Sequence, residues 1–194
     1  MSGHGFHVHG PHDHELEHAA QGHGAERDKF SGTIAVVTAL LATVGALFSY
    51  MGGATQANAG LFKNNAAIKK TEASNQWNYY QAKSSKQNLA ELAVVLAPED
   101  KRAGYVDEVK RYKVEKAEIK TDAEKLEAQS KSWDEQSDAQ MHLHHRWAQA
   151  TTALQVSIAL AAIALLTRRQ WLVWGMVGVA TMGLALGGAA VLHI

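Results

Sequence analysis

Three histidines stand within four residues in the stretch MHLHHRW, Met141 to Trp147. Imidazole can ligate a metal or change charge near neutral pH, so the question is which use this spacing suits. On a helix successive residues turn by ~100°. Asp138, Met141, His142 and His145 then share one arc, while His144 faces away. Two imidazoles at i and i+3, with an acid four residues earlier, suit Zn²⁺, Cu²⁺ or Ni²⁺ once another chain or arm completes the shell. The same residues also suit plain anchoring at a membrane–water boundary, because histidine is amphipathic and Arg146 reaches headgroups. A pH-responsive contact is the third use. A looser set, His4, His7, His9, His12, His14, His18 and His23, has no fixed spacing. It can collect metal without selecting one.

The elements that carry these residues follow from the distribution of charge. The 194-residue chain has 19 basic and 19 acidic residues and no cysteine, which excludes disulfides and thiolate metal sites. Ile34 to Gly53, Ala148 to Thr167 and Gln170 to Ile194 contain no Asp, Glu, Lys or Arg. Each is close to or above the ~20 residues that cross a bilayer as a helix. Trp147, Trp171 and Trp174 lie near the ends of these runs, where interfacial aromatics belong. The expected class is therefore an all-α membrane protein with three transmembrane helices, at 33–53, 149–167 and 171–192. Residues 1–32, rich in His and Gly, read as a flexible low-complexity tail.

Residues 54–148 are densely and almost evenly charged. Their one turn signal is APEDKRAG, Ala97 to Gly104, which predicts a turn near 97–104 between two arms of nearly equal length. Equal arms let a chain leave a membrane and return, so the segment reads as an extramembrane antiparallel helical hairpin, coiled-coil-like, between spans 1 and 2. In the second arm, steps of four and three join Tyr105, Val109, Tyr112, Lys116, Ile119, Ala123, Leu126, Ser130 and Trp133, with polar interruptions at Lys116 and Ser130. The first arm offers Leu61, Ile68, Leu89, Leu92 and Leu96, interspersed with Asn64, Asn75, Asn78 and Ser85. Such a seam pairs weakly by apolar burial and calls for further copies of itself. Trp77, Tyr79 and Tyr80 read as helix-pairing anchors rather than a ligand box, and Gly52–Gly53 as a flexible point.

Arg27 and Lys29 before the first span, and Arg168 and Arg169 between the last two, place those ends in the cytoplasm and the hairpin in the periplasm. Lys63, Lys69, Lys70 and Arg146 pull the other way. The small-residue triplet Ala57 to Ala59 resembles a signal cleavage site, but the preceding apolar run is too long, and an uncleaved anchor is expected.

SNQWNYYQAKSSKQ, from Ser74 to Gln87, the helical arm after it, HLHHR from His142, and ALQVSIALAAIALLTRRQW from Ala153 to Trp171 together carry a resemblance. Over roughly residues 26 to 192 the chain resembles a bacterial membrane family catalogued as domain of unknown function 4337. The resemblance implies this order of span, polar arm, charged arm and paired spans, and a multi-pass protein of the bacterial inner membrane. It implies no activity, and no catalytic residue is carried over.

No phosphate-cradling loop, dinucleotide fingerprint or nucleophile elbow is present. Gly183 and Gly187 form a small-xxx-small pair suited to close helix packing. With no Asp, Glu, Lys or Arg inside the runs, a transporter is disfavoured. The expectation is a non-enzymatic scaffold in the lipid bilayer that forms a homo-oligomer or recruits an unidentified protein, with no nucleic acid and no cofactor. The alternative is a metal- or pH-sensing, or metal-handling, membrane protein that uses its histidine clusters.

Overall fold

The computed structural model describes the backbone of residues 13–192 and the side chains of residues 29–192. Three helices account for nearly all of it: α1 (Asp13–Leu96), α2 (Glu99–Thr167) and α3 (Gln170–Val191). There is no strand among the described residues. His4, His7, His9 and His12 lie outside the described residues, as do the side chains of His14, His18 and His23. Residues 13–32, expected in the tail, already belong to α1. Good helix formers such as Glu15, Leu16, Ala19 and Ala20 account for the earlier start.

α1 and α2 are joined by Ala97 and Pro98 alone. The turn is thus narrower than 97–104, and Gly104 lies inside α2. Pro98 followed by Glu99 and Asp100 is the reason. Proline cannot continue α1, whereas acids in a first turn complement the positive end of a helix dipole. The Pro98 carbonyl accepts from the Lys101 amide at 3.0 Å, and the Ala97 carbonyl accepts from Arg102 Nε at 3.1 Å. α1 also runs unbroken through Gly52 and Gly53, so the expected flexible point is ordinary helix.

The chain divides into two compact units, each described by itself. The first comprises the chain up to Met51 and from Arg146 onward. Ile34, Ala161, Ala164, Leu172 and Met176 form one buried cluster, and Leu41, Leu154 and Ala180 another. Many large apolar residues outside these clusters point outward. Leu40 is 62% exposed, Leu166 85% and Trp174 76%. All three helices contain a stretch long and apolar enough to cross a membrane.

Small residues let the helices of this unit approach closely. A Cβ built on Gly187 would lie 2.2 Å from the Phe48 ring, and one on Gly183 would lie 3.0–3.2 Å from Leu154, Ala153 and the Ala150 carbonyl. The expected packing role of the pair is what the structure contains. Buried Ser157 donates to the Met176 carbonyl at 2.9 Å, a polar tie between α2 and α3. Trp147, expected at the interface with lipid, is only 3% exposed and packs 5.2 Å from Phe48. It continues the inward-facing step of α2, while Trp171 and Trp174 remain outside. Arg168 turns the chain between α2 and α3 with φ 54°, a left-handed conformation that usually falls to glycine.

Candidate functional site

The second unit, Gly52–His145, holds every candidate residue of the charged segment. Its organising feature is a seven-residue ladder. Ser130 Oγ donates to the Ala66 carbonyl at 2.8 Å, and Ser137 Oγ to the Ala59 carbonyl at 2.8 Å. His144 Nδ1 lies 2.8 Å from the Gly52 carbonyl, the only acceptor in that pair, so this nitrogen carries the proton. Contacts therefore climb α2 by seven residues while descending α1 by seven. Ala59, Ala66 and Ala73 are 1–5% exposed, and Ala123 on α2 is fully buried. With no side chain beyond Cβ on α1, a short hydroxyl can reach a backbone carbonyl across the seam. Each such bond contributes on the order of 1 kcal/mol.

The expected α2 seam matches this inward face. Ile119 and Ala123 are buried, and Tyr105, Val109, Tyr112, Leu126 and Trp133 half-buried. The expected α1 seam does not match. Leu61, Ile68, Leu89, Leu92 and Leu96 are 47–73% exposed. The face of α1 that meets α2 is the alanine face instead, because Ser130, Ser137 and His144 need close backbone approach rather than large apolar partners.

Farther from the ladder, longer polar side chains take over. Trp77 Nε1 donates to Glu127 at 2.9 Å, and its ring meets Tyr80 edge-on at 5.7 Å. Tyr79 lies under Lys83, at 5.2 Å, and Tyr80 under Lys116, at 4.9 Å. The three aromatics thus serve three different partners and enclose no box. A shallow groove of about 530 Å³ beside Trp77 is lined by Lys70, Asn78, Gln81, Glu127 and Lys131 among others. Lys116, a polar interruption in sequence, donates to Gln87 at 3.3 Å.

Among the described residues, Lys83 and Glu115 form the best-covered ion pair, at 2.5 Å. The bond to Glu115, then that to Tyr79, raises Lys83 above its ordinary value; the same Lys83 bond holds Glu115 below its own. A depressed carboxylate contributes stability above its ordinary value of ~4.3, and that contribution disappears as pH falls through the lower folded value. A raised lysine contributes below ~10.4 and ceases to do so as pH rises through its folded value. Glu115→Gln should therefore melt below the parent across roughly pH 5–10, with the two curves converging below about pH 4. Circular dichroism melts over that range check this; a gap undiminished at pH 3 would contradict it.

The opening histidines divide between two faces. Asp138, Met141, His142 and His145 are exposed, and His144 is half-buried in the ladder, as its opposite facing on a helix requires. The His144 and His145 rings are 5.7 Å apart. Among the described residues no group of three His, Asp or Glu is placed to hold a metal ion. Zn²⁺, Cu²⁺ or Ni²⁺ at His142 and His145 would need a donor from a second chain. The structural part of His144 was not read from sequence, though its seven-residue step from Ser137 and Ser130 signalled it.

Comparison with known proteins adds one decisive observation. Residues 30–193 match the family described as Domain of unknown function (DUF4337). The chain belongs to this family. The DUF4337 match takes in the whole second unit and, in the first, the described chain from residue 30 onward, but not His4, His7, His9, His12, His14, His18 or His23. No curated protein and no solved structure matches the chain.

Proposed function

We propose that this DUF4337 chain is a non-enzymatic scaffold of the bacterial inner membrane. Three spanning helices anchor an antiparallel, coiled-coil-like hairpin on the periplasmic side, and the hairpin self-assembles or recruits a partner protein. The observation that supports this reading is how the polar groups of the second unit are spent. Ser130, Ser137, His144, Trp77 and the Lys83–Glu115 pair all tie α1 to α2. Side chains committed to holding two helices together are suited to stiffness. They are poorly suited to meeting a substrate, which requires groups aimed into a cleft. The apolar surface of the first unit supports the membrane setting, and the arginines at 168 and 169 support the orientation.

Native mass spectrometry in mild detergent should show a discrete multimer of the full chain; a clean monomer in several such detergents would overturn self-assembly. The same preparation tests the rival metal-handling reading. Protein lacking residues 1–24 should carry almost no divalent metal. A one-to-one ion that His142→Gln with His145→Gln abolishes would replace the scaffold by a metal site.

A further inference from the structure

The face of α1 that points away from α2 in the second unit is itself a heptad seam, and we infer that its occupant is the same face of a second copy, in parallel register. This deepens the self-assembly proposed above and rests on it. Leu61, Ile68, Leu89 and Leu96 fall on one series of sevenths, which passes through Asn75 and Ala82. A second series, three residues on, holds Asn64, Thr71, Asn78, Ser85 and Leu92. All these positions are exposed, and none is charged, although the same stretch of α1 carries Lys63, Lys69, Lys70, Glu72, Lys83, Lys86 and Glu91. Avoiding charge on one face of so charged a segment is what a partner helix demands and what solvation does not.

The ladder explains why the stripe stays straight. A free α-helix drifts ~20° per heptad against a strict seven-residue repeat. Pairing at Gly52, Ala59 and Ala66, continued in the same series of sevenths by buried Ala73 and Gln87, holds α1 to a seven-residue repeat against α2. The outward series then remains in line as well, ready for a helix with the same repeat. A strip 36 residues long and ~10–12 Å wide projects to roughly 600 Å². Side-chain relief brings the real area closer to the ~800 Å² per partner of a stable pair.

The polar residues choose the occupant. Thr71 Oγ1 and Ser85 Oγ already donate to carbonyls of their own helix, Ala67 at 2.9 Å and Gln81 at 3.2 Å, so covering them strands no donor. Asn64, Asn75 and Asn78 need both a donor and an acceptor from whatever covers them. Lipid offers neither. Parallel pairing with a second copy sets Asn75 against Asn75 and Asn78 against Asn78, where each amide supplies what the other lacks. Antiparallel pairing on the same series would set Asn75 against Ala82 and leave it unpaired. A buried asparagine at such a position fixes register and favours two parallel strands. Two copies held in one membrane are parallel by the same proposal.

Because the chain has no cysteine, single replacements report this contact directly. In membranes holding the full chain, Ile68→Cys and Leu89→Cys should each, alone, form disulfide dimers under mild oxidation in most molecules. Thr121→Cys, exposed on α2, should do so at least tenfold less. Ile68→Glu with Leu89→Glu should reduce the native multimer at least tenfold with helix content unchanged. Dimers that form only when Ile68→Cys and Leu89→Cys chains are mixed would mean antiparallel pairing and overturn the register. Cross-linking no better than Thr121→Cys, or to a different protein, would overturn the second copy as occupant. If the native multimer persists in that case, self-assembly stands and only this face falls; if the chain is monomeric, both fall.

Discussion

Gly187→Leu should be among the most damaging single changes in the first unit. The missing side chain of Gly187 is what lets Phe48 lie against α3, and a Cβ there would sit 2.2–2.3 Å from two ring carbons. Phe48 also packs 5.2 Å from buried Trp147, which limits how far it can move aside. Overpacking of this kind costs about 3 kcal/mol or more, the upper part of the usual range. The neighbouring Gly188 is exposed with nothing within 4 Å of a built Cβ, so Gly188→Leu should be nearly neutral. Thermal unfolding in detergent separates the two. Phe48→Ala combined with Gly187→Leu should recover part of the loss, because the two changes share one space.

Ala59→Leu with Ala66→Leu should disrupt the second unit comparably. The two side chains are 1% and 5% exposed, and the carbonyls of these residues receive Ser137 and Ser130 at 2.8 Å. Leucine at either site pushes α2 outward and breaks the bond beside it. Each replacement should cost about 2–3 kcal/mol, most of it overpacking. Gly104→Ala makes the contrast. That residue lies in an exposed turn of α2 with nothing within 4 Å, and alanine should stabilise the helix by about 1 kcal/mol. Denaturant melts of the double variant that match the parent would show that the alanine face is not where the helices meet.

These two cases also show what could be read from the residues alone. Three charge-free runs and one proline are strong signals, and the three helices follow from them. The α2 seam was legible because Tyr105, Val109, Tyr112, Ile119 and Leu126 are large, apolar and spaced by fours and threes. On α1 the same logic selected Leu61, Ile68, Leu89, Leu92 and Leu96, all of which face outward. Hydrophobic pattern ranks residues by size and apolarity, whereas the ladder selects for smallness, since only a short side chain brings a carbonyl within reach of a serine. The available cue was the match between two series of sevenths, Gly52–Ala59–Ala66 and Ser130–Ser137–His144. Trp147 differs from its expected place for a related reason: an aromatic near the end of an apolar run suits lipid headgroups, but its seam position is inward. For the histidines, helical geometry separated His144 from His142 and His145 correctly; that His144 bonds the Gly52 carbonyl needed the facing helix.

The membrane setting predicts a definite pattern of thiol accessibility. Leu40 is 62% exposed, so burial within the chain cannot shield a thiol placed there. In intact membranes Leu40→Cys should resist a water-soluble maleimide that labels Thr121→Cys within minutes, and should become reactive only once detergent replaces lipid. Leu40→Cys labelled as fast as Thr121→Cys before any detergent is added would contradict a membrane-spanning α1.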